Sequence, residues 1–180
     1  MNYHHPQQSR LLALALTSRG LGYAVLEGET SLIENGHASF RNGDKNATCL
    51  AKVEKLAALY RPDALILEDV VAKGSRRHPR IKRLHHEVEA FAKKRRLAVK
   101  IISGRQSRRL LLGNEHETKQ EKAEGLTKRF PIELAFRLPP KRRSWESEDS
   151  RMDIFDAVGL AVAYRTQKAI APLTTMDKCA

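Results

Sequence analysis

Ala64-Leu65-Ile66-Leu67-Glu68-Asp69 is the stretch that decides the fold. Four apolar residues in a row read as a strand buried on both faces, and such a strand cannot hold an acid inside it. Glu68 and Asp69 therefore mark the carboxyl end at which the strand emerges, where open α/β sheets place their sites. Tyr60-Arg61-Pro62-Asp63 just before it is a turn, because Pro62 fixes its own φ and pushes Arg61 out of the helical region. A helix thus ends near Tyr60. Its apolar residues Leu50, Val53, Leu56, Ala57 and Tyr60 recur at three- and four-residue spacing, and Asn46 can cap its start. The helix makes a crossover, so the Leu65 strand pairs in parallel with an earlier one.

Towards the amino end, Leu11 to Leu16 is an uninterrupted apolar strand. Thr17-Ser18-Arg19-Gly20 is a turn in which Gly20 can supply positive φ. Gly22 to Leu26 is a second strand, Gly28 sits in another turn, and Ser31 to Phe40 is a third strand with a bulge expected at Asn35-Gly36. Three strands joined by short turns form an antiparallel meander. Towards the carboxyl end, Ile81, Leu84, Val88 and Phe91 define a helix from Pro79, and Ala98 to Ile102 is a short strand. Helices follow at Arg105 to Leu112 and Glu117 to Phe130. Leu138-Pro139-Pro140-Lys141-Arg142-Arg143 is a rigid basic loop, and a largely buried helix runs from about Ser150 to Gln167. The expected architecture is α/β: a five-stranded mixed sheet, three strands in an antiparallel meander and the others parallel, flanked by helices. Residues 1–9 read as a disordered leader, 10–168 as one domain and 169–180 as a flexible tail.

A chain of 180 residues suits one domain, since a domain of roughly 150 residues already buries about 70% of its unfolded surface. Its 33 Lys and Arg outnumber 21 Asp and Glu, a net charge of +12 that is too large for an ordinary metabolic enzyme and suggests a polyanionic partner. The segment from Lys73 to Arg109 holds 14 of the basic residues and, as acids, only Glu87 and Glu89. The whole surplus is therefore concentrated in one segment. A solvated face is the ordinary reading of scattered charge, but such concentration favours a binding track. Lys73, Arg76, Arg77, Arg80, Lys82 and Arg83 begin right after the Glu68 strand end, beside any phosphate presented there. Arg105, Arg108, Arg109 and Lys141 to Arg143 extend the track. With few aromatics and no base-reading helix, backbone and shape recognition is expected. Cys49 falls on an apolar helix face and Cys179 in the tail; neither has metal-ligand spacing, which with the short Leu11–Leu16 apolar run points to a reducing, cytoplasmic setting without a membrane span.

Asp153 and Asp156 are three apart and share one face near the start of the last helix. Asp153 can equally complete a capping box with Ser150, and Asp156 can be a solvent-facing acid. Lys119 and Lys122 also fit a charged surface helix, and His85 and His86 read as surface residues. Ser18-Arg19-x-x-Gly22-Tyr23 after the first strand, Pro62-Asp63 and Glu68 on the fourth, and Asp153-x-x-Asp156-Ala157 opening a late helix together resemble RuvC-type Holliday-junction resolvases. The resemblance spans about residues 10 to 168. It implies a ribonuclease H-like fold, a homodimer, and an endonuclease of DNA recombination in which four carboxylates hold two Mg²⁺ ions. It would make Glu68, Asp153 and Asp156 catalytic residues and ligands for Mg²⁺ or Mn²⁺, with Lys119 and Lys122, before Ala123, resembling the lysine near the scissile phosphate.

One residue departs from that pattern. With Ser18, Arg19, Gly22 and Tyr23 aligned, the family's first-strand aspartate falls on Ala15, and no acid occurs from Met1 to Gly22. The resemblance gives that aspartate the role of bridging both metals. Mg²⁺ demands octahedral oxygen ligands and sheds water reluctantly, so a site without its central carboxylate is weak. The expected function is binding of branched or structured DNA with cleavage weakened or lost. An active junction endonuclease with a substitute ligand is one alternative, and an RNA- or ribosome-associated basic protein is another.

Overall fold

The computed structural model describes residues 9–41, 43–70, 77–113 and 118–176. Strands β1 (Arg10–Leu16), β2 (Gly20–Glu27) and β3 (Ser31–Ser39) come first. Helix α1 (Lys45–Tyr60) leads into β4 (Ala64–Glu68), and α2 (Pro79–Lys94) into β5 (Ala98–Ile102). Then follow α3 (Gly104–Leu112), α4 (Lys119–Arg129), the single-turn α5 (Pro131–Leu134) and α6 (Met152–Met176), which runs past the expected stop at Gln167. Lys73 and Arg76 of the basic segment lie outside the described residues, as do Met1 to Gln8. Among the described residues no helix is long and apolar enough to cross a membrane.

The sheet has the order β3-β2-β1-β4-β5. β1 pairs antiparallel with β2 and β2 with β3, whereas β1–β4 and β4–β5 are parallel. This is the five-stranded mixed sheet that the meander and the crossover helix require. Alternation along each strand splits the core into two layers. Leu12, Leu14, Leu65 and Leu67 face α1 and α2, against Val53, Leu56, Leu84 and Val88. Leu11, Ala13, Ala15, Ala24, Ala64 and Ile66 face α6, against Phe155, Val158, Ala161 and Val162. Small residues dominate the centre of the second face, so α6 can approach the strands closely.

Three local readings are corrected. Helix α1 is capped by Asp44, whose side chain accepts from the amides of Asn46 and Ala47; Asn46 is already inside the helix and buried. Gly20 lacks positive φ. A Cβ there would fall 2.0 Å from the Ala38 carbonyl oxygen, so glycine is needed for strand proximity rather than for a turn. The irregularity between β2 and β3 lies not at Asn35-Gly36 but at Ile33, which is skipped where Val25 pairs with Glu34 and Leu26 with Leu32. Gly36 instead makes room for the Tyr23 ring, whose hydroxyl oxygen would be 2.5 Å from an added Cβ.

Candidate functional site

The site is built around the ends of β1 and β4. Ala15 pairs with Gly22 across β1–β2, and the last parallel pair of β1–β4 is Leu14 with Leu67. One step further stand Ala15 and Glu68, side by side. Residues 64, 66 and 68 alternate onto the face covered by α6, so Glu68 points to the same side as Ala15. A Cβ on Gly22 would fall 2.0 Å from the Asp153 carbonyl oxygen and 2.8 Å from its Cβ, so the first turn of α6 rests directly on β2. Ala15 thus lies between Glu68 on one neighbouring strand and the Asp153 end of α6 over the other.

Asp153 is buried. Its Oδ2 accepts a hydrogen bond from Thr17 Oγ1 at 3.1 Å, and His37 Nε2 lies 3.5 Å away. Burial pushes its carboxyl up to about 6, with the Asp156 charge adding to the rise and the Thr17 hydrogen bond and Lys119 opposing it. Burial also lowers the His37 imidazole, against a raising influence of Asp149, and His37 Nε2 makes no hydrogen bond. The His37–Asp153 contact is thus a close approach without a hydrogen bond.

Asp156 is driven the other way. Burial would raise its carboxyl, but Lys122 and Lys119 outweigh that and hold it at about 2. Lys122 Nζ donates to Asp156 Oδ1. Lys119 Nζ donates to Asp156 Oδ2 at 3.0 Å and to Glu148 Oε2 at 3.1 Å. Burial works against the Lys119 ammonium, yet the Asp156 and Glu148 charges raise it above its ordinary range. Glu68 is ion-paired to Arg77. Its Oε1 would lie 3.1 Å from a Cβ on Gly104, against the first turn of α3, where the positive end of the helix dipole suits a carboxylate.

Asp153, Asp156, Lys119 and Arg77 wall one cleft of about 180 Å³ together with Thr17, Arg19, Glu148 and Asp149. Glu68 joins through Arg77. The three expected acids are therefore on one side of the sheet, each engaged by a donor or a cation. Among the described residues, the three-residue group whose ligand atoms lie within 4.8 Å of one another is His85, His86 and Glu89 on α2. His85 is buried at 2% exposure, which corrects its reading as a surface residue.

The basic residues divide. Arg80 is turned inward: its guanidinium donates to Asn46 Oδ1 at 2.7 Å and to the Ser18 carbonyl at 2.9 Å, pinning the β1–β2 turn to α1 and α2. Arg77 is occupied by Glu68. Arg83, Arg105 and Arg109 are exposed, and Lys82 and Arg108 half-buried. Sequence reasoning missed Thr17, His37, Glu148 and Asp149. A hydroxyl next to Ser18 and an acid pair inside a basic loop were the available signals.

A three-strand meander continued by two parallel strands, with a late helix laying Asp153 and Asp156 beside the end of β1, defines the ribonuclease H-like fold of RuvC-type resolvases. No protein-family model matches the chain and no curated protein matches it. Solved structures do match. The Thermus thermophilus RuvC structure is 16% identical, with a TM-score of 0.68 over 90% of this chain and 96% of that one. T. thermophilus RuvC in complex with a Holliday junction substrate is 14% identical, with a TM-score of 0.70 over 91% and 96%. The yeast mitochondrial Holliday junction resolvase is 14% identical, with a TM-score of 0.62 over 90% and 80%. The chain has the RuvC-type fold along nearly its whole length.

Proposed function

We propose that this protein binds branched or structured DNA through its basic surface, as a RuvC-like resolvase homologue whose metal-dependent hydrolysis is weakened or lost. The observation that carries this reading is the state of the acids around Ala15. Asp156 is held between two lysines, Glu68 by Arg77, and Asp153 is buried with its Oδ2 taken by the Thr17 hydroxyl. A pair of Mg²⁺ or Mn²⁺ ions requires several ionised oxygen ligands free to face it. The donor set at this cleft does not fit that requirement, and no hydrolytic step is assigned to it. The fold's likeness to a RuvC in complex with a Holliday junction substrate and the concentrated positive charge support DNA as the partner. The same reading carries a homodimer and a reducing, cytoplasmic setting, in keeping with a buried free Cys49 whose thiol burial pushes up to about 12.

A second reading, an active endonuclease, draws on Glu148 and Asp149, two further acids on the same cleft, which would replace the missing ligand once released from Lys119 and Arg151. A four-way-junction binding and cleavage assay in Mg²⁺ and Mn²⁺, with the native chain beside Ala15→Asp, separates the readings. The native chain is expected to bind the junction and to cleave it at least about a hundred-fold more slowly than the variant, the scale of losing a major electrostatic contributor. Equal cleavage by both would establish the second reading.

A further inference from the structure

The segment between α5 and α6 carries a feature that neither the acids nor the basic track explains. Tryptophan is usually buried over most of its surface, yet Trp145 is 77% exposed. It is also held rather than loose. The amide of Glu146 donates to the Arg143 carbonyl at 3.1 Å, and the amide of Arg143 donates to Glu146 Oε2 at 3.0 Å. This reciprocal closure makes a turn with Trp145 near its tip. The Arg143 guanidinium lies 5.7 Å from the ring centroid, a cation–π contact that covers part of the ring and leaves most of it open.

The place of this turn matters as much as its shape. Lys141 and Arg142, just before it, line a groove of about 420 Å³ together with Lys119 and Glu148. Lys119 and Glu148 also line the cleft that holds Asp153 and Asp156. Trp145 is three residues from Glu148, so their Cα atoms are no more than roughly 11 Å apart. The groove also carries Asp149, and Lys119 is paired to Glu148 and Asp156, so Lys141 and Arg142 are the cations in its lining that can hold phosphates, with a clamped aromatic ring three residues beyond Arg142. Backbone charge plus a ring is the combination that holds unpaired nucleotides, because every base has a π-face.

We propose that Trp145 is a nucleobase-stacking contact for branched DNA, a role that rests on the junction-binding reading above. Its ring takes a base left unstacked where the strands exchange, while Lys141 and Arg142 hold the adjoining phosphates. In an unbroken duplex the bases are stacked on one another and offer the ring no face, so the contact favours branched over linear DNA. The low aromatic content argues against an extended stacking platform; a single ring at a branch point needs none.

Trp145 is the chain's one tryptophan, so its emission reports the contact without a label. The full chain is titrated with a synthetic four-way junction, a linear duplex of the same arm sequence and an RNA strand of that sequence. Emission is expected to be quenched on the junction and little changed on the duplex and the RNA. Trp145→Ala is expected to weaken junction binding roughly ten-fold, the scale of one aromatic–base stack, with duplex binding unaltered and Trp145→Phe retaining most of the affinity. Unchanged emission on a bound junction, equal quenching by duplex or RNA, or wild-type affinity in Trp145→Ala would overturn the stacking role and leave junction binding standing. Failure of the wild-type chain to bind any branched DNA would overturn both.

Discussion

Asp153 and Asp156, one helical turn apart, respond to pH in opposite senses. The Asp153 carboxyl is at about 6 in the folded protein against an ordinary 3.8. Between those values the folded chain holds a proton that the unfolded chain releases, so stability falls as pH rises through that window and stays reduced above it. Asp156, held at about 2, contributes stability that is complete above the ordinary carboxylate range and is lost as pH falls towards 2. Asp153→Asn is therefore expected to raise the urea midpoint near pH 7 and to flatten the decline in stability between pH 4 and 7. Asp156→Asn is expected to lower stability by about 3 kcal/mol near neutral pH, because it leaves the buried Lys122 ammonium without its partner. Urea unfolding at a series of pH values checks both. A fall in the midpoint for Asp153→Asn at neutral pH would show that its hydrogen bond from Thr17 outweighs its buried charge.

At the scale of elements, the contact between α6 and β2 has no slack. Gly22→Ala places a methyl group 2.0 Å from the Asp153 carbonyl oxygen, an atom that belongs to backbone and cannot rotate away. A loss of about 1–3 kcal/mol is expected, and more if α6 must shift as a unit. Thermal unfolding measures it, and an unchanged melting temperature would contradict the packing. Period and punctuation made most elements readable: β5 has the expected bounds Ala98–Ile102, and β4 ends at Glu68 where the apolar run stops. What misled was local chemistry overruled by distant neighbours. Asn35-Gly36 carries a turn-like signature, but Gly36 answers to the Tyr23 ring on the next strand. Asn46 resembles a cap, but Asp44 takes that place and Arg80 claims the Asn46 side chain. The candidate site was legible as a set of acids and not as a set of pairs. Lys119 and Asp156 are 37 residues apart and Thr17 and Asp153 136 apart, separations at which spacing carries no information about contact.

For the whole molecule, the junction-binding reading turns charge into a measurable slope. Each phosphate neutralised on duplex DNA contributes about −0.9 to the dependence of log K on log salt concentration. Arg83 and Arg109 are exposed, and replacing both by Ala is expected to reduce that slope by about 2 and to weaken binding evenly across sequences. An unaltered slope would remove them from the track. The two core layers also differ in how the chain must be gathered to form them. Among the described residues, the buried residues of the α1 and α2 layer come from Leu12 to Ala92, whereas the opposite layer needs Phe155 and Val158 against Leu11 and Ala13. Closing so long a loop is entropically demanding, and non-local contacts of this kind slow folding. The tempo of refolding is accordingly set by the return of one distant helix, and the half of the sheet awaiting it is where a nascent or heat-shocked chain is most exposed to aggregation.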